Sequence, residues 1–285
     1  MNKYYKALIF DNQLTLSILD TTDMVNDAIK IHGLSPLAAA ALGRTMTVCT
    51  FMSANLKSDK DKLYVTVAGN GVGGKITVCG NGELCMRGSI DNPKADLPLK
   101  SNGKLDVGGC VGKEGRITVV RSMGLKEPYS GSCGLVSGEI AEDFTAYYAL
   151  SEQTPTAIAL GVKIGKDLSC VGAGGVIIQA LPNAEEENLI KAENIINSLS
   201  ALSTIIEEKG IDYLVKEYFG DIKYEELHPE YKCLCSKEYI EGLLVSLGKK
   251  EIDDIIKEKG CVEVSCQFCD KVYKFTQEDT DKLFV

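Results

Sequence analysis

Two short stretches near the C-terminus decide how the last part of this chain folds: Tyr231–Tyr239, "YKCLCSKEY", and Val264–Val272, "VSCQFCDKV". They carry four cysteines in two tight pairs, Cys233 with Cys235 and Cys266 with Cys269. Two short chelating hairpins are the usual way for a chain to offer four thiolates to one tetrahedral zinc ion. Neighbouring thiols can also close into disulfides, so the spacing alone leaves a metal site, a pair of disulfides, or alternation between the two.

The rest of the composition favours the metal site over permanent disulfides. The chain has 285 residues and 11 cysteines, and its N-terminus, "MNKYYKALIFDNQLTLSILD", lacks the basic start and unbroken apolar run of a secretory signal. We therefore expect a cytoplasmic protein. In that reducing compartment thiols stay free or bind metal, so the cysteine pairs are more compatible with a metal site than with permanent disulfides.

Charge argues against two classes of partner. The formal net charge of -9 has the wrong sign for a protein that finds nucleic acid or anionic lipid by electrostatics. Residues 231–285 hold nine basic and eleven acidic side chains, so a phosphate-binding face is not evident there. We expect neither a nucleic-acid nor a membrane partner.

One apolar stretch resembles a membrane span but is predicted to be a buried helix. Residues Pro36–Leu56, "PLAAAALGRTMTVCTFMSANL", include Arg44 and three threonines and are barely long enough to cross a bilayer. Ser35 is suited to be the N-cap of this helix and Pro36 to be its first residue.

Residues 1–182 are predicted to form a mixed α/β core. Alternating apolar runs separated by glycine turns predict strands, and Asn81-Gly82 is a hairpin signal. The stretch "GNGVGGK", Gly69–Lys75, fits G-x-G-x-x-G, but a strand pattern follows it, so we predict a hairpin loop and no phosphate site. A helix is predicted to start at Ser137 and to end before Pro155.

Residues 183–230 are predicted to be a helical linker, with a domain boundary near Pro182. They hold twelve acidic and four basic side chains. Apolar residues recur at three- and four-residue spacing, which predicts an amphipathic helix: Leu189, Ala192, Ile196, Leu199, Leu202 and Ile206.

Residues 231–285 are predicted to form a small module around the cysteines, with two short helices separated by Gly248. Seven apolar residues are predicted to cover it: Tyr239, Ile240, Leu243, Leu244, Ile252, Ile255 and Ile256. So small a core is marginal alone, so we expect metal binding to supply folding free energy. A four-cysteine shell is closed, which argues against catalysis at the metal. Oxidation of the thiolates would expel the metal and unfold the module.

Together, several motifs resemble one family, the redox-regulated thirty-three-kilodalton heat-shock chaperone of the bacterial cytosol. The resemblance covers essentially the whole chain. Besides the cysteine pairs it rests on three stretches: "LVSGEIAEDFTAYYALSEQTPTAIALGV" at Leu135–Val162, "GKLDVGGCVG" at Gly103–Gly112, and "GLKEPYSG" at Gly124–Gly131.

The resemblance implies an α+β fold, in which a β/β/α layered core surrounds a buried helix, followed by a helical linker and a C-terminal zinc redox switch. It implies an ATP-independent holdase that binds unfolding client proteins, is a homodimer, and carries one zinc per chain. On oxidation, Cys233 would pair with Cys235, and Cys266 with Cys269. The linker residues Leu189, Ile196, Leu199, Leu202 and Ile206 are candidates for client binding, because their apolar face would be uncovered when the module unfolds.

The remaining cysteines are a departure from the family pattern. We expect packing roles for the six in the core, since a free cysteine usually acts as a small hydrophobe: Cys49, Cys79, Cys85, Cys110, Cys133 and Cys170. Cys261 could compete for zinc, but we expect a spectator because four ligands already fill the shell.

One alternative from another class is a zinc-stabilised cytosolic enzyme or regulator built on the same core. A glycine-lined pocket with converging polar groups would favour the enzyme. We expect no enzyme, because the sequence offers no nucleophile-base pair.

Overall fold

A computed structural model of the chain describes residues 1–124 and 127–284. The chain forms two compact units, Met1–Lys232 and Cys233–Val285. Of the motif at Gly124–Gly131, Leu125 and Lys126 lie outside the described residues.

The first unit contains two sheets. One has five strands, which are in spatial order β10 (Tyr224–Leu227), β1 (Lys3–Ile9), β2 (Leu14–Asp20), β9 (Cys170–Ala180) and β8 (Thr156–Ile164). The other has six, which are β11 (Glu230–Tyr231), β5 (Cys85–Ile90), β4 (Ile76–Asn81), β3 (Lys62–Ala68), β6 (Arg116–Ser122) and β7 (Tyr129–Gly134). Neighbouring strands are antiparallel except β11 and β5, which are parallel.

Six helices of the first unit are described. They are α1 (Thr22–His32), α2 (Pro36–Ala54), α3 (Val107–Val111), α4 (Ala141–Leu150), α5 (Glu186–Ser198) and α6 (Leu202–Phe219). Helix α2 contacts strands of both sheets, and residues of both sheets and of α2 share one apolar core. The predicted α+β class, with a layered core around a buried helix, is therefore confirmed.

Helix α2 begins as predicted. The Ser35 hydroxyl accepts a hydrogen bond from the Ala38 N–H at 3.1 Å, and Pro36 occupies the first turn. The helix is long and apolar enough to cross a membrane, but 89% of its most apolar window is buried inside the protein. Such burial is what a core helix of this composition requires.

Both predicted turns in the six-stranded sheet are confirmed. Residues Gly69–Lys75 connect β3 to β4, which pair antiparallel, so no helix follows these glycines. Asn81 and Gly82 lead from β4 into the antiparallel β5. The phosphate-binding interpretation is thereby excluded on geometry, because it needs a helix N-terminus after the loop.

Helix α4 begins later than predicted, at Ala141 and not at Ser137. The buried carboxylate of Asp143 accepts backbone N–H groups from the turn before the helix: Val136 at 2.7 Å, Ser137 at 2.9 Å, Gly138 at 3.1 Å and Ile140 at 2.9 Å. One side chain thus satisfies four N–H donors, which holds the preceding residues in a compact turn and delays the helix.

The predicted linker is two helices and not one. The chain turns between α5 and α6, where the Leu202 N–H donates to the Leu199 carbonyl at 3.1 Å. Asparagines and serines crowd this stretch, and the Ser198 hydroxyl donates to the Ile195 carbonyl at 2.7 Å. Such side chains compete for backbone groups and end helices. A further kink lies inside α6 at Gly210, with φ 74°.

The chain divides into its two compact units between Lys232 and Cys233, close to the predicted start of the third segment at residue 231. Helices α5 and α6 belong to the first unit because they pack on the five-stranded sheet and share an apolar cluster with it. The boundary near Pro182 stays a prediction. The division of function among 1–182, 183–230 and 231–285 stays a prediction.

The second unit consists of a helix pair, a hairpin and a C-terminal turn. Its elements are α7 (Lys237–Leu247), α8 (Lys249–Lys259), β12 (Val262–Ser265), β13 (Val272–Phe275), α9 (Gln277–Asp281) and a 3₁₀ turn (Lys282–Phe284). The two predicted helices are confirmed, and Gly248 between them has φ 92°, which favours glycine.

We predict that Asp143→Ala lowers the free energy of unfolding by about 3 kcal/mol, because several N–H donors lose a charged acceptor. Glu142→Ala is the matched control, since Glu142 is adjacent in the same turn but exposed. Urea unfolding followed by circular dichroism gives both values. Equal stability of the two variants would contradict the role assigned to Asp143.

Candidate metal centre

The second cysteine pair lies in a tight turn between β12 and β13. The Cys266 N–H donates to the Lys271 carbonyl at 2.9 Å, and the Asp270 N–H donates to the Cys266 carbonyl at 2.9 Å. Asp270 adopts φ 56°, which lets the chain reverse. These bonds fold Cys266 and Cys269 into a knuckle that presents both sulfurs on one side.

The first pair precedes α7. Ser236 caps this helix, with its hydroxyl accepting the Tyr239 N–H at 3.1 Å. The cap fixes the point at which the chain leaves the helix, and Cys235 directly precedes it. The helix cap thus limits where Cys233 and Cys235 can lie.

All four sulfur atoms lie within 4.8 Å of one another. Cys233 Sγ is 3.6 Å from Cys266 Sγ, and Cys235 Sγ is 3.4 Å from Cys269 Sγ. A tetrahedral zinc ion with Zn–S bonds of about 2.3 Å would place its sulfurs about 3.8 Å apart. The four cysteines therefore fit a tetrahedral metal of that size, and within residues 1–124 and 127–284 they are the only such cluster of cysteine, histidine and carboxylate ligands.

The same distances describe free thiols, because a disulfide needs about 2.05 Å between sulfurs. Both short contacts join cysteines of different pairs. All edges of a tetrahedral site are alike, so this arrangement does not choose between disulfide pairings. The pairing within each hairpin stays a prediction.

Burial and hydrogen bonding give the thiols different pKa values. Burial acts to raise the pKa of Cys235, but hydrogen bonds from the Tyr273 hydroxyl and the other three cysteines bring that pKa down to about 7. The pKa of Cys233 is raised, chiefly by burial. A cluster of this kind holds a thiolate readily near neutral pH, and thiolates are the form that binds metal.

Tyr273 is the site residue that sequence reasoning missed. Its hydroxyl donates to Cys235 Sγ at 3.1 Å, from β13 opposite Val264. The bond raises the pKa of Tyr273 to about 12. Nothing in the residue pattern signals it, since only the register of the hairpin brings the ring to the sulfur.

The apolar cover of the second unit differs in membership from the prediction. Its buried members are Ile240, Leu244, Ile252, Ile256, Val262 and Phe275. Ile255 is partly buried, but Tyr239 is 61% exposed and Leu243 is 45% exposed, which corrects the prediction for these two. Ile240 and Leu244 form one row of α7, and a turn of about 100° per residue carries Tyr239 and Leu243 off that row.

The other cysteines lie where their expected roles place them. Cys261 directly precedes β12 and lies outside the four-sulfur group. The six core cysteines are buried, and burial raises the pKa of Cys110 and Cys79, for example, to about 11. Raised values disfavour the reactive thiolate, as expected of packing residues.

The five linker residues proposed for client binding face the five-stranded sheet. Leu199, Leu202 and Ile206 are buried, and Leu189 and Ile196 are partly buried against the same cluster. Their neighbours on the sheet include Leu16 and Ile178. The apolar face is therefore covered, as the periodicity requires.

Comparison with known proteins is consistent along the whole chain. The family described as "Hsp33 protein" matches residues 2–276. A 33 kDa chaperonin of Clostridium novyi (strain NT) is 41% identical, over 99% of this chain and 97% of that protein. A 33 kDa chaperonin of Clostridium perfringens (strain SM101 / Type A) is 42% identical, over 99% of this chain and 91% of that protein.

A solved structure agrees with the fold. The crystal structure of the 33 kDa chaperonin (heat shock protein 33 homolog) of Thermotoga maritima superposes with a TM-score of 0.89 at 34% identity, covering 99% of this chain and 97% of that one. With a family match over nearly its full length and relatives above 40% identity, this chain belongs to the Hsp33 protein family.

Proposed function

We propose that this protein is a redox-regulated, ATP-independent holdase of the cytoplasm, which binds unfolding proteins under oxidative and heat stress. Relatives named chaperonins support binding of unfolded clients and favour a protein that is not an enzyme. The single observation that carries the redox part is the cluster of four thiols on a unit with few buried apolar residues.

In the reduced state, the four cysteines hold one zinc per chain. Six buried apolar residues are too few to fold the second unit securely, so the metal supplies much of its stability. This state is inactive, because the apolar face of α5 and α6 is covered by the sheet.

Oxidation changes the ligands. Hydrogen peroxide takes two electrons from the thiolates of Cys233 and Cys235; the S–S bond forms, the O–O bond breaks, and two protons complete two waters. A second peroxide does the same at Cys266 and Cys269. Disulfide sulfurs are poor ligands, so zinc leaves and the second unit unfolds.

Activation then reaches the linker. Unfolding of the second unit frees the end of the chain segment that follows α6. We propose that α5 and α6 then loosen and uncover Leu189, Ile196, Leu199, Leu202 and Ile206 for clients. The family resemblance also supports a homodimer, which stays a prediction.

The reduced protein is predicted to bind one zinc per chain, and Cys233→Ser with Cys266→Ser to abolish tight binding, because two of four ligands are lost. Elemental analysis after dialysis measures this. Cys261→Ser is the control and should keep a full equivalent. A double variant that retained its zinc, or equal loss in Cys261→Ser, would contradict the ligand set.

Peroxide with mild heat is predicted to release zinc and to start suppression of citrate synthase aggregation in the same time window, without nucleotide. Reduction with zinc present should reverse both. The measurements are a colorimetric zinc assay and light scattering on one sample. If the reduced, zinc-loaded protein suppressed aggregation equally well, the quartet would be a purely structural site.

Ile206→Asp is predicted to activate the reduced protein in part, because a buried carboxylate at a 5% exposed position weakens docking of α6. The matched control is Ile190→Asp in α5, where the side chain is 52% exposed. Aggregation assays of both reduced variants, with zinc content measured in parallel, make the comparison. Equal behaviour of the two variants would count against linker release as the activating step.

A further inference from the structure

One short segment covers an edge of each sheet in the first unit. Strand β10 pairs antiparallel with β1 at the edge of the five-stranded sheet, and β11 pairs parallel with β5 at the edge of the six-stranded sheet. Both strands belong to residues 224–232, which we call the edge strap. Without the strap, β1 and β5 would present unpaired backbone groups.

The β10 half of the strap is held mainly through its backbone. Tyr224, Glu225 and Glu226 are exposed, and their burial contributes little. Two side chains also hold the strand: the Tyr224 ring is stacked on the Tyr5 ring with centroids 4.2 Å apart, and Leu227 is partly buried against the core of the first unit. A four-residue strand with three exposed residues still has few contacts that must break before it is displaced.

The far end of the strap adjoins the metal ligands in the chain. The Glu230 N–H donates to the Leu84 carbonyl at 3.1 Å, and the Lys232 N–H donates to the Met86 carbonyl at 2.8 Å. The next residue is Cys233. While the second unit is folded, the chain after the strap is ordered; once that unit unfolds, the strap is tethered to a flexible chain.

The covered edge suits an extended polypeptide. Strand β10 pairs with Tyr4–Ala7, which leaves Leu8 and Ile9 of β1 beyond its end, and Leu8 is 49% exposed. A cavity of about 680 Å³ lies at this end, lined on the β1 side by Lys6, Ala7 and Leu8 and on the other side by residues 222–225, which would leave with β10. Backbone pairing gives affinity without sequence preference, and the exposed Leu8 offers an apolar contact to a client side chain.

We propose that the edge strap is a displaceable strand and that β1, once β10 leaves, docks an extended backbone segment of an unfolding client by strand addition. This rests on the proposed holdase function and names its recognition mode. The strap itself is the structural precedent, since it is an extended segment of this chain paired with that edge. Strand addition binds a client through main-chain hydrogen bonds. It is therefore distinct from client binding through the apolar side chains of α5 and α6.

Hydrogen exchange read by NMR or by fragment mass spectrometry tests the proposal on the full chain. In reduced, zinc-loaded protein the edge-facing amides of β1 are expected to be protected by β10. Oxidation should speed their exchange about tenfold or more, and added heat-unfolded citrate synthase should restore protection. Strand β8, at the opposite edge of the same sheet, is the internal control and should not follow this cycle.

Two variants distinguish the effect of losing a strap contact from the effect of losing the metal. In reduced protein, Tyr224→Ala is expected to speed exchange of the same β1 amides about tenfold while zinc content stays full, because the ring stack is lost. Glu225→Ala, in the same exposed strand, is the matched control and should leave exchange unchanged. Equal exchange in the two variants would show that the ring stack does not hold the strap, and would overturn this part of the proposal.

Three other outcomes overturn the proposal. In the first, oxidation leaves the exchange of the β1 amides unchanged. In the second, added client does not restore their protection. In the third, protection returns without client and rises with protein concentration, which would mean that a second copy of the chain fills the edge. Oxidised protein that fails to suppress aggregation would instead refute the proposed function. If the oxidised protein suppresses client aggregation but the β1 amides are not protected again, strand addition is refuted and the proposed holdase function is not.

Discussion

The arrangement on which the proposed behaviour depends is the gathering of four sulfur atoms within 4.8 Å on a unit with six buried apolar residues. Four thiolates this close repel one another, and a divalent cation is what turns that repulsion into attraction. Burial and hydrogen bonds already push the thiol pKa values apart, lowering that of Cys235 to about 7. The site is therefore suited to bind metal when reduced and to lose it when any pair of sulfurs is bonded covalently.

The metal site is joined to the first unit by one continuous stretch of chain. Cys233 directly follows Lys232, whose N–H donates a hydrogen bond to a carbonyl of β5, and the preceding strand β10 pairs with β1. Upstream of that segment, α5 and α6 cover an apolar face on the five-stranded sheet. The second unit and these surfaces are thus joined along one stretch of chain, and this continuity is the physical basis that we propose for coupling metal loss to client binding.

Much of the fold and of the metal site was predictable from the sequence, because patterns within a few residues determine these features. The N-cap at Ser35, the apolar run of α2, the glycine turns and the cysteine spacing each act within a few residues. Three of the misses depend on contacts distant in sequence or on side chains that compete for backbone hydrogen bonds. Asp143 delays α4 by accepting four N–H groups, serines and asparagines divide the linker after Ser198, and Tyr273 reaches Cys235 only through hairpin register. The edge strands β10 and β11 were missed because four and two residues carry too little pattern to predict a strand.

We propose that bound metal, more than the apolar cluster, keeps the second unit folded. Removing zinc with a chelator under fully reducing conditions separates metal loss from disulfide formation, and ¹H–¹⁵N NMR then reads each unit in the same sample. We expect the amide signals of Cys233–Val285 to collapse to unfolded positions while those of β2, β9 and α2 keep their dispersion. Dispersed signals from a reduced, zinc-free second unit would contradict it.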